Sequence, residues 1–241
     1  MDKKVLLLVI VFIIAYALGG WFNPRTVYFN HTQPQPIPIT NVSLASINVP
    51  AIDENGNGVI TSIIVQAAPG NGKTLTNIDK ILFWIDTQGS IRTARSVAES
   101  VTGLNLSRYD IIYTITANAT IIEGPSAGAA LTIATITALE NRTINPSIMM
   151  TGTINPDGTI GMAGSIKEKA EIAKNAGATT FLIPFGYLAE TVGYERVRVC
   201  EEMNGIEYCE TEYVPKMMGL SESLGIKIEE VKNIKEALEY F

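Results

Sequence analysis

The chain has 241 residues and a formal net charge of −6, because 24 acidic side chains outnumber 18 basic ones. This excess of negative charge argues against nucleic acid as a partner, since phosphates attract a basic surface. Hydrophobic residues make up 46% of the chain, which is enough for the core of one large domain with appendages.

An uncharged apolar run occupies residues 5–22. As an α-helix it would be roughly 27 Å long, at ~1.5 Å per residue, which is just enough to cross a bilayer core. Two lysines precede the run, so the positive-inside rule places the N-terminus in the cytoplasm and the rest of the chain outside. A cleaved signal peptide is the alternative, because residues 15–17 have the small-x-small form of a cleavage site. We expect residues 1–22 to be a transmembrane anchor or an uncleaved signal, and the following domain to be extracytoplasmic.

The remaining chain divides into a linker and a globular domain. Residues 23–41 contain four prolines and predict an extended linker, and residues 42–241 follow as the domain. Hydrophobic periodicity predicts strands at 42–52, 59–67, 80–86, 110–116, 147–153, 179–184 and 226–230, and helices at 90–101, 125–140, 166–176 and 234–240. Because strands and helices do not alternate strictly, we predict an α+β fold with mixed sheets.

The stretch AAPGNGKTL, residues 67–75, ends like a nucleotide-binding P-loop. The first glycine of that motif would fall on Ala67, whose Cβ would crowd the turn around a phosphate. The residues after Lys73 have β-rich rather than helical character. Residues 69–72, Pro-Gly-Asn-Gly, therefore predict a hairpin turn, and we expect the chain by itself to bind no ATP.

A possible nucleophile lies in the segment Glu-Gly-Pro-Ser-Ala-Gly, residues 123–128. Pro125 suits the first turn of a helix, so Ser126 would lie where free backbone N–H groups and the positive end of the helix dipole converge. Its hydroxyl could attack a carbonyl while neighbouring amides stabilise the oxyanion. The single histidine, His31, lies upstream in the linker, which excludes the Ser-His-Asp triad of an α/β-hydrolase. An anion site of the small-molecule kinase type and a purely structural, closely packed helix start remain open.

Without histidine, a serine nucleophile needs another base, and lysine is the usual substitute. Only about 1 in 2,500 free lysines is neutral at pH 7, so burial has to lower the pKa by ~3 units. Lys167 is the candidate, because it follows a glycine-rich approach and is flanked by apolar residues. We interpret Lys169 and Lys174, on the same predicted helix, as part of a solvated face.

The two cysteines lie on either side of a strong turn signal. Asn204-Gly205 predicts a two-residue hairpin turn, and pairing outward from it places Cys200 opposite Cys209. This is a non-hydrogen-bonded pair, whose Cα atoms lie ~4.5 Å apart, within the range of a disulfide. We predict a Cys200–Cys209 disulfide, which would agree with an oxidising exterior.

Three blocks together resemble the proteolytic domain of the Lon proteases, a serine–lysine peptidase family: residues 123–128, 150–169 and 177–184. Residues 69–73 are similar to an early hairpin of the family, and the likeness extends in order over residues 42–241. The resemblance implies Ser126 as the nucleophile, Lys167 as the general base, and Thr151 as the group that orients the lysine amine. From the helix-start argument above, we expect the backbone at Ala127 to be part of the oxyanion site. The resemblance also implies a ring-shaped, hexameric homo-oligomer.

The chain departs from the family pattern in a few places. Glu123 stands where the family usually has aspartate, Gly164-Ser165 stands where two glycines are common, and the cysteine hairpin looks like an insertion. No ATPase module is recognised. We expect a serine endopeptidase that hydrolyses unfolded or extended polypeptides without ATP, cofactor or metal, with the strand near residues 110–120 pairing with the substrate backbone. The alternative is a non-catalytic, membrane-anchored scaffold or binding module with the same fold.

Overall fold

A computed structural model describes residues 42–241, except residues 54, 78–81, 84, 118–120, 123 and 204–205. The predicted anchor, the predicted linker and Glu123 lie outside the described residues. Within the described part, no helix has both the length and the apolar character needed to cross a bilayer.

The described residues form thirteen strands and five α-helices. The strands are β1 (Ser43–Ile52), β2 (Gly58–Pro69), β3 (Thr74–Asn77), β4 (Leu82–Phe83), β5 (Tyr109–Ala117), β6 (Ile121–Ile122), β7 (Ile148–Met150), β8 (Thr153–Ile154), β9 (Ile160–Gly161), β10 (Thr180–Pro184), β11 (Ala189–Met203), β12 (Ile206–Gly219) and β13 (Lys227–Val231). The helices are α1 (Ile85–Thr102), α2 (Gly128–Leu139), α3 (Ile166–Asn175), α4 (Leu220–Leu224) and α5 (Ile234–Leu238), with 3-10 turns at Leu106–Arg108 and Pro125–Ala127.

Two larger sheets organise the domain. One has four strands in the order β1-β2-β5-β3, and the other has three parallel strands in the order β13-β10-β7. In the first sheet β2 is antiparallel to both β1 and β5, whereas β3 is parallel to β5. Antiparallel and parallel pairs therefore occur together with packed helices, which confirms the predicted α+β class.

Helix α2 is the most deeply buried element, since all of its residues from 128 to 138 are buried. A helix that is apolar all round belongs in a core, and its threonines satisfy their hydroxyls locally. Thr132 and Thr135 donate to the carbonyls of Gly128 and Leu131, at 2.8 and 2.6 Å. A Cβ at Gly128 would lie 2.9 Å from the backbone nitrogen of Ile154, so the start of α2 packs directly on β8.

The turn after β2 does not join neighbouring strands. Strand β5 lies between β2 and β3, so the predicted hairpin pairing at residues 69–72 is wrong, although a strand and not a helix follows Lys73. The N–H groups of Asn71 and Lys73 both donate to one carboxylate oxygen of Asp110, each at 2.8 Å. These donors bind a side chain of β5 and are not presented to a phosphate. The pattern near the turn could not reveal this partner, because Asp110 is almost 40 residues away.

The region before α1 also differs from the sequence-based prediction. The strand expected at residues 80–86 is described only as β4, and α1 begins at Ile85 instead of residue 90. The sequence pattern did not predict this earlier start because of Gly89. Glycine inside a helix lowers helix stability by about 1 kcal/mol relative to alanine and therefore weakens the helical signal. Asp86 in the first turn favours the helix through its interaction with the helix dipole.

The cysteine hairpin forms a separate two-stranded sheet of β11 and β12. Its register pairs Met203 with Ile206 and Cys200 with Cys209, as the sequence predicted. The two cysteines form a disulfide with Cα atoms 4.0 Å apart, which confirms the predicted bridge. Residues 204–205, the predicted turn, lie outside the described residues.

Candidate active site

Ser126 lies in the 3-10 turn that leads into α2, and its side chain is half-buried. The preceding Gly124 has φ 91° and ψ 156°, a backbone conformation that is essentially restricted to glycine. The carbonyl oxygen of Ser126 accepts a hydrogen bond from the N–H of Gly152 at 2.8 Å, and the N–H of Ala129 donates to the carbonyl of Gly152 at 3.0 Å. The Met-Thr-Gly segment at residues 150–152 therefore fixes the position of the serine turn.

The side chain that meets Ser126 belongs to Lys169. Its Nζ lies 2.8 Å from Ser126 Oγ, and Lys169 is only 6% exposed. Burial lowers the pKa of Lys169 from its ordinary value of 10.5, because the charged ammonium loses hydration. A buried amine with a lowered pKa, in contact with a hydroxyl, is the arrangement that a serine–lysine peptidase requires.

The predicted pairing of Ser126 with Lys167 is corrected by this geometry, because Lys167 is exposed. Helix α3 buries Ile166, Lys169, Ala170 and Ala173, which share one face at the three- to four-residue spacing of an α-helix. Lys167 points about 100° around the helix from Ile166. The spacing from Ile166 to Lys169 was the available signal in the sequence, and the interpretation of Lys169 as a solvated residue overlooked it.

Thr151 is also near the serine, but it contacts a different group from the one predicted. It is 1% exposed, and its hydroxyl donates to the carbonyl oxygen of Ser126 at 3.4 Å. The Lys169 amine contacts the Ser126 hydroxyl. Thr151 thus contacts the serine backbone, and the expectation that its hydroxyl orients the lysine amine stays a prediction.

Two further predicted residues have different outcomes. Glu123, which stands where the family usually has aspartate, lies outside the described residues, so a supporting role for it beside the nucleophile stays a prediction. Ala127 ends the 3-10 turn beside Ser126 and forms the N-cap of α2. Its backbone role in an oxyanion site stays a prediction as well.

A cavity of about 290 Å³ opens beside Ser126 and Lys169. Its walls include Val49, Ile63 and Ile115 from three neighbouring strands, so most of the lining is apolar. The loop before α3 contributes Ser165, whose φ of 54° lies in the left-handed region that glycine prefers. A side chain of a bound polypeptide could therefore enter an apolar space next to the two reactive groups.

The grouping of metal-ligating side chains found among the described residues is Cys200, Glu207 and Cys209. Both sulfurs belong to the disulfide, so this group does not provide thiolate ligands.

Comparison with known proteins shows which family has a similar sequence. A family model described as the Lon protease (S16) C-terminal proteolytic domain matches residues 57–191, which is more than half of the chain. The chain belongs to this family. The matched stretch contains Ser126, Thr151 and Lys169, whereas the cysteine pair lies beyond it.

Individual Lon proteases give a consistent result. The Lon protease of Phenylobacterium zucineum is 35% identical over 130 residues, covering 53% of this chain and 16% of that protein. The Lon protease of Buchnera aphidicola is 30% identical over 185 residues, covering 75% of this chain and 21% of that protein. The archaeal Lon protease of Thermoplasma volcanium is 27% identical over 128 residues, covering 53% of this chain and 20% of that protein. This Lon-family chain thus spans about a sixth to a fifth of the length of these curated relatives.

Proposed function

We propose that this Lon-family domain is a serine endopeptidase, with Ser126 as the nucleophile and Lys169 as the general base. The observation that carries the proposal is the 2.8 Å contact between the buried Lys169 amine and the Ser126 hydroxyl. This contact favours catalysis over the alternative of a non-catalytic scaffold, because a structural role does not need a buried lysine amine in contact with a serine hydroxyl.

The Ser126 hydroxyl and the Lys169 amine can together carry out peptide hydrolysis in two stages. When Lys169 has lost its proton, the Ser126 hydroxyl donates a hydrogen bond to Nζ and transfers its proton as Oγ attacks the substrate carbonyl carbon. The resulting ammonium then protonates the leaving amine as the peptide C–N bond breaks and an acyl-enzyme remains. A water molecule, deprotonated by the same amine, hydrolyses the ester. The backbone N–H at Ala127 is the proposed donor to the oxyanion, since the first N–H groups of a helix lack intrahelical acceptors.

The proposed substrates are unfolded or extended polypeptides, cleaved without nucleotide. Among the described residues, β3 pairs with β5 from Ile111 to Thr114, and Ile115 lines the cavity. The last residues of β5 therefore pair with β2 on one side within the described part of the chain. An extended substrate could add main-chain hydrogen bonds at the other side.

The cellular setting is a proposal of the same kind. We propose that residues 1–22 anchor the chain in a membrane and that the domain is extracytoplasmic, which the Cys200–Cys209 disulfide supports because such bonds persist in oxidising surroundings. We also propose a homo-oligomeric, hexameric ring, on the strength of the family resemblance alone.

Cleavage of unfolded protein tests the proposed activity. We expect the full-length protein in detergent to hydrolyse casein and fluorogenic peptides without nucleotide, and the Ser126→Ala variant to be inactive with an unchanged thermal unfolding curve. Cleavage by Ser126→Ala at the wild-type rate would contradict the proposal. Complete inactivity of the wild-type protein on unfolded substrates would favour the scaffold alternative.

The pH dependence of cleavage follows from the lowered pKa of Lys169. Because the base is active only as the neutral amine, kcat/KM should rise with pH and level off above the pKa of the buried group. Burial lowers that pKa, so the midpoint of the rise should lie below the ordinary lysine value of 10.5. Initial rates across a pH series, with protein stability measured at each pH, check this. A profile that is flat from pH 5 to 9 would exclude a titrating lysine base.

A further inference from the structure

Thr61 lies in the wall of the active-site cavity and has an unusual polar atom. It is 2% exposed, and its hydroxyl oxygen is buried without a hydrogen-bond partner among the described residues. Thr61 belongs to β2, between Val49 of β1 and Ala117 of β5, on the side that faces the core with Ile63. It is therefore held firmly by strands on both sides.

A buried hydroxyl without a partner calls for an explanation. Most buried side-chain polar atoms in native proteins are hydrogen-bonded, and an unsatisfied one destabilises the fold. Other buried threonines in this domain obey the rule, since Thr132 and Thr135 donate to helix carbonyls. Thr61 lines the cavity although its hydroxyl oxygen is buried, so another of its atoms faces the cavity. Rotation about the Cα–Cβ bond by roughly 120° moves the hydroxyl to the position of the methyl group, and the methyl group to that of the β-hydrogen. The hydroxyl can thereby be turned to the cavity, where a ligand would supply its partner.

We infer that Thr61 is a specificity-determining residue, whose hydroxyl forms a hydrogen bond with a neutral polar group on the substrate side chain seated in the cavity. This inference rests on the proposed peptidase function. The favoured side chain combines an apolar body, which packs against Val49, Ile63 and Ile115, with a hydroxyl or amide.

Charged side chains fit the cavity poorly. Among its described lining residues none is acidic, so a substrate lysine or arginine would have no counter-charge and would face the Lys169 amine. A substrate carboxylate would stabilise the ammonium form of Lys169 and suppress the base. A fully apolar side chain fits, but it leaves the Thr61 hydroxyl unpaired. Sites built to bind a hydroxyl or amide discriminate in this way against isosteres that lack it.

Matched peptide substrates test the inference in the full-length protein. Three pairs of fluorogenic peptides would differ only at the residue before the scissile bond: threonine against valine, tyrosine against phenylalanine, and asparagine against leucine. We expect Thr61→Val, which removes the hydroxyl at nearly constant shape, to lower the polar-to-apolar ratio of kcat/KM about tenfold for the pair that fits best. Thr61→Ser should restore the ratio.

The control is Thr211→Val, the same change at an exposed threonine of β12 in the cysteine hairpin, which should leave the ratio unchanged. If the ratios of Thr61→Val equal those of the wild type for all three pairs while cleavage persists, the role of Thr61 is refuted and the peptidase function stands. If the wild-type protein cleaves none of the peptides and no unfolded protein, the proposed function fails and this inference fails with it.

Discussion

Replacing Lys169 with methionine is expected to reduce kcat/KM for peptide hydrolysis by at least ~10³-fold, because methionine fills a similar volume but cannot accept the Ser126 proton. The same change should leave the fold intact or more stable, since methionine has no ammonium whose hydration is lost on burial. Steady-state kinetics with thermal unfolding separates the two effects. A serine-directed covalent probe should label Ser126 in the wild-type protein and fail to label Lys169→Met.

Lys167→Met is the matched control, because it is the same substitution two residues earlier on α3, at an exposed position. We expect it to retain most of the activity. The opposite result, with activity lost in Lys167→Met and retained in Lys169→Met, would reinstate the assignment made from sequence and overturn the proposed dyad.

Gly124→Ala is expected to destabilise the domain by ~1–3 kcal/mol, because its φ of 91° and ψ of 156° are essentially closed to residues with a Cβ. The new methyl group itself meets nothing within 4 Å, so the cost arises in the backbone and not from a clash. Relief of this strain would shift Ser126, and a displacement of about 1 Å can reduce catalysis by roughly 10²-fold. Denaturant unfolding and kcat together measure both consequences.

Gly89→Ala provides the comparison for this change. A Cβ at Gly89 also meets nothing within 4 Å, but Gly89 lies inside α1 without a positive φ. We expect this variant to be more stable by about 0.5–1 kcal/mol, because alanine is the better helix former, and to be fully active. Equal stability changes in the two variants would show that the backbone conformation at Gly124 carries no special constraint.

The features that depend on residues close together in the sequence could be predicted from the sequence alone. Pro125 and Ser126 do lie in the 3-10 turn that leads into a buried helix, which begins at Gly128, because the signals for a helix start are contained within a few residues. The Cys200–Cys209 register was predictable because a two-residue turn fixes every pair that follows it. Family membership was predictable from the order and separation of several motifs, none of which is sufficient alone.

The choice of the lysine and the surroundings of Ser126 depended on contacts between distant segments. Lys167 and Lys169 are both preceded by glycines and apolar residues, and only the packing of α3 buries one and exposes the other. The hydroxyl of Thr151 and the carboxylate of Asp110 bind backbone groups 25 or more residues away, which no local pattern identifies. The sequence by itself determined the fold class, the position of Ser126 at a helix start and the pairing of the two cysteines, because local periodicity and turn geometry encode these features. Helical spacing indicates that Ile166 and Lys169 share a face, but only the tertiary structure decided that this face is packed against the core and that the Lys169 amine is the one removed from water.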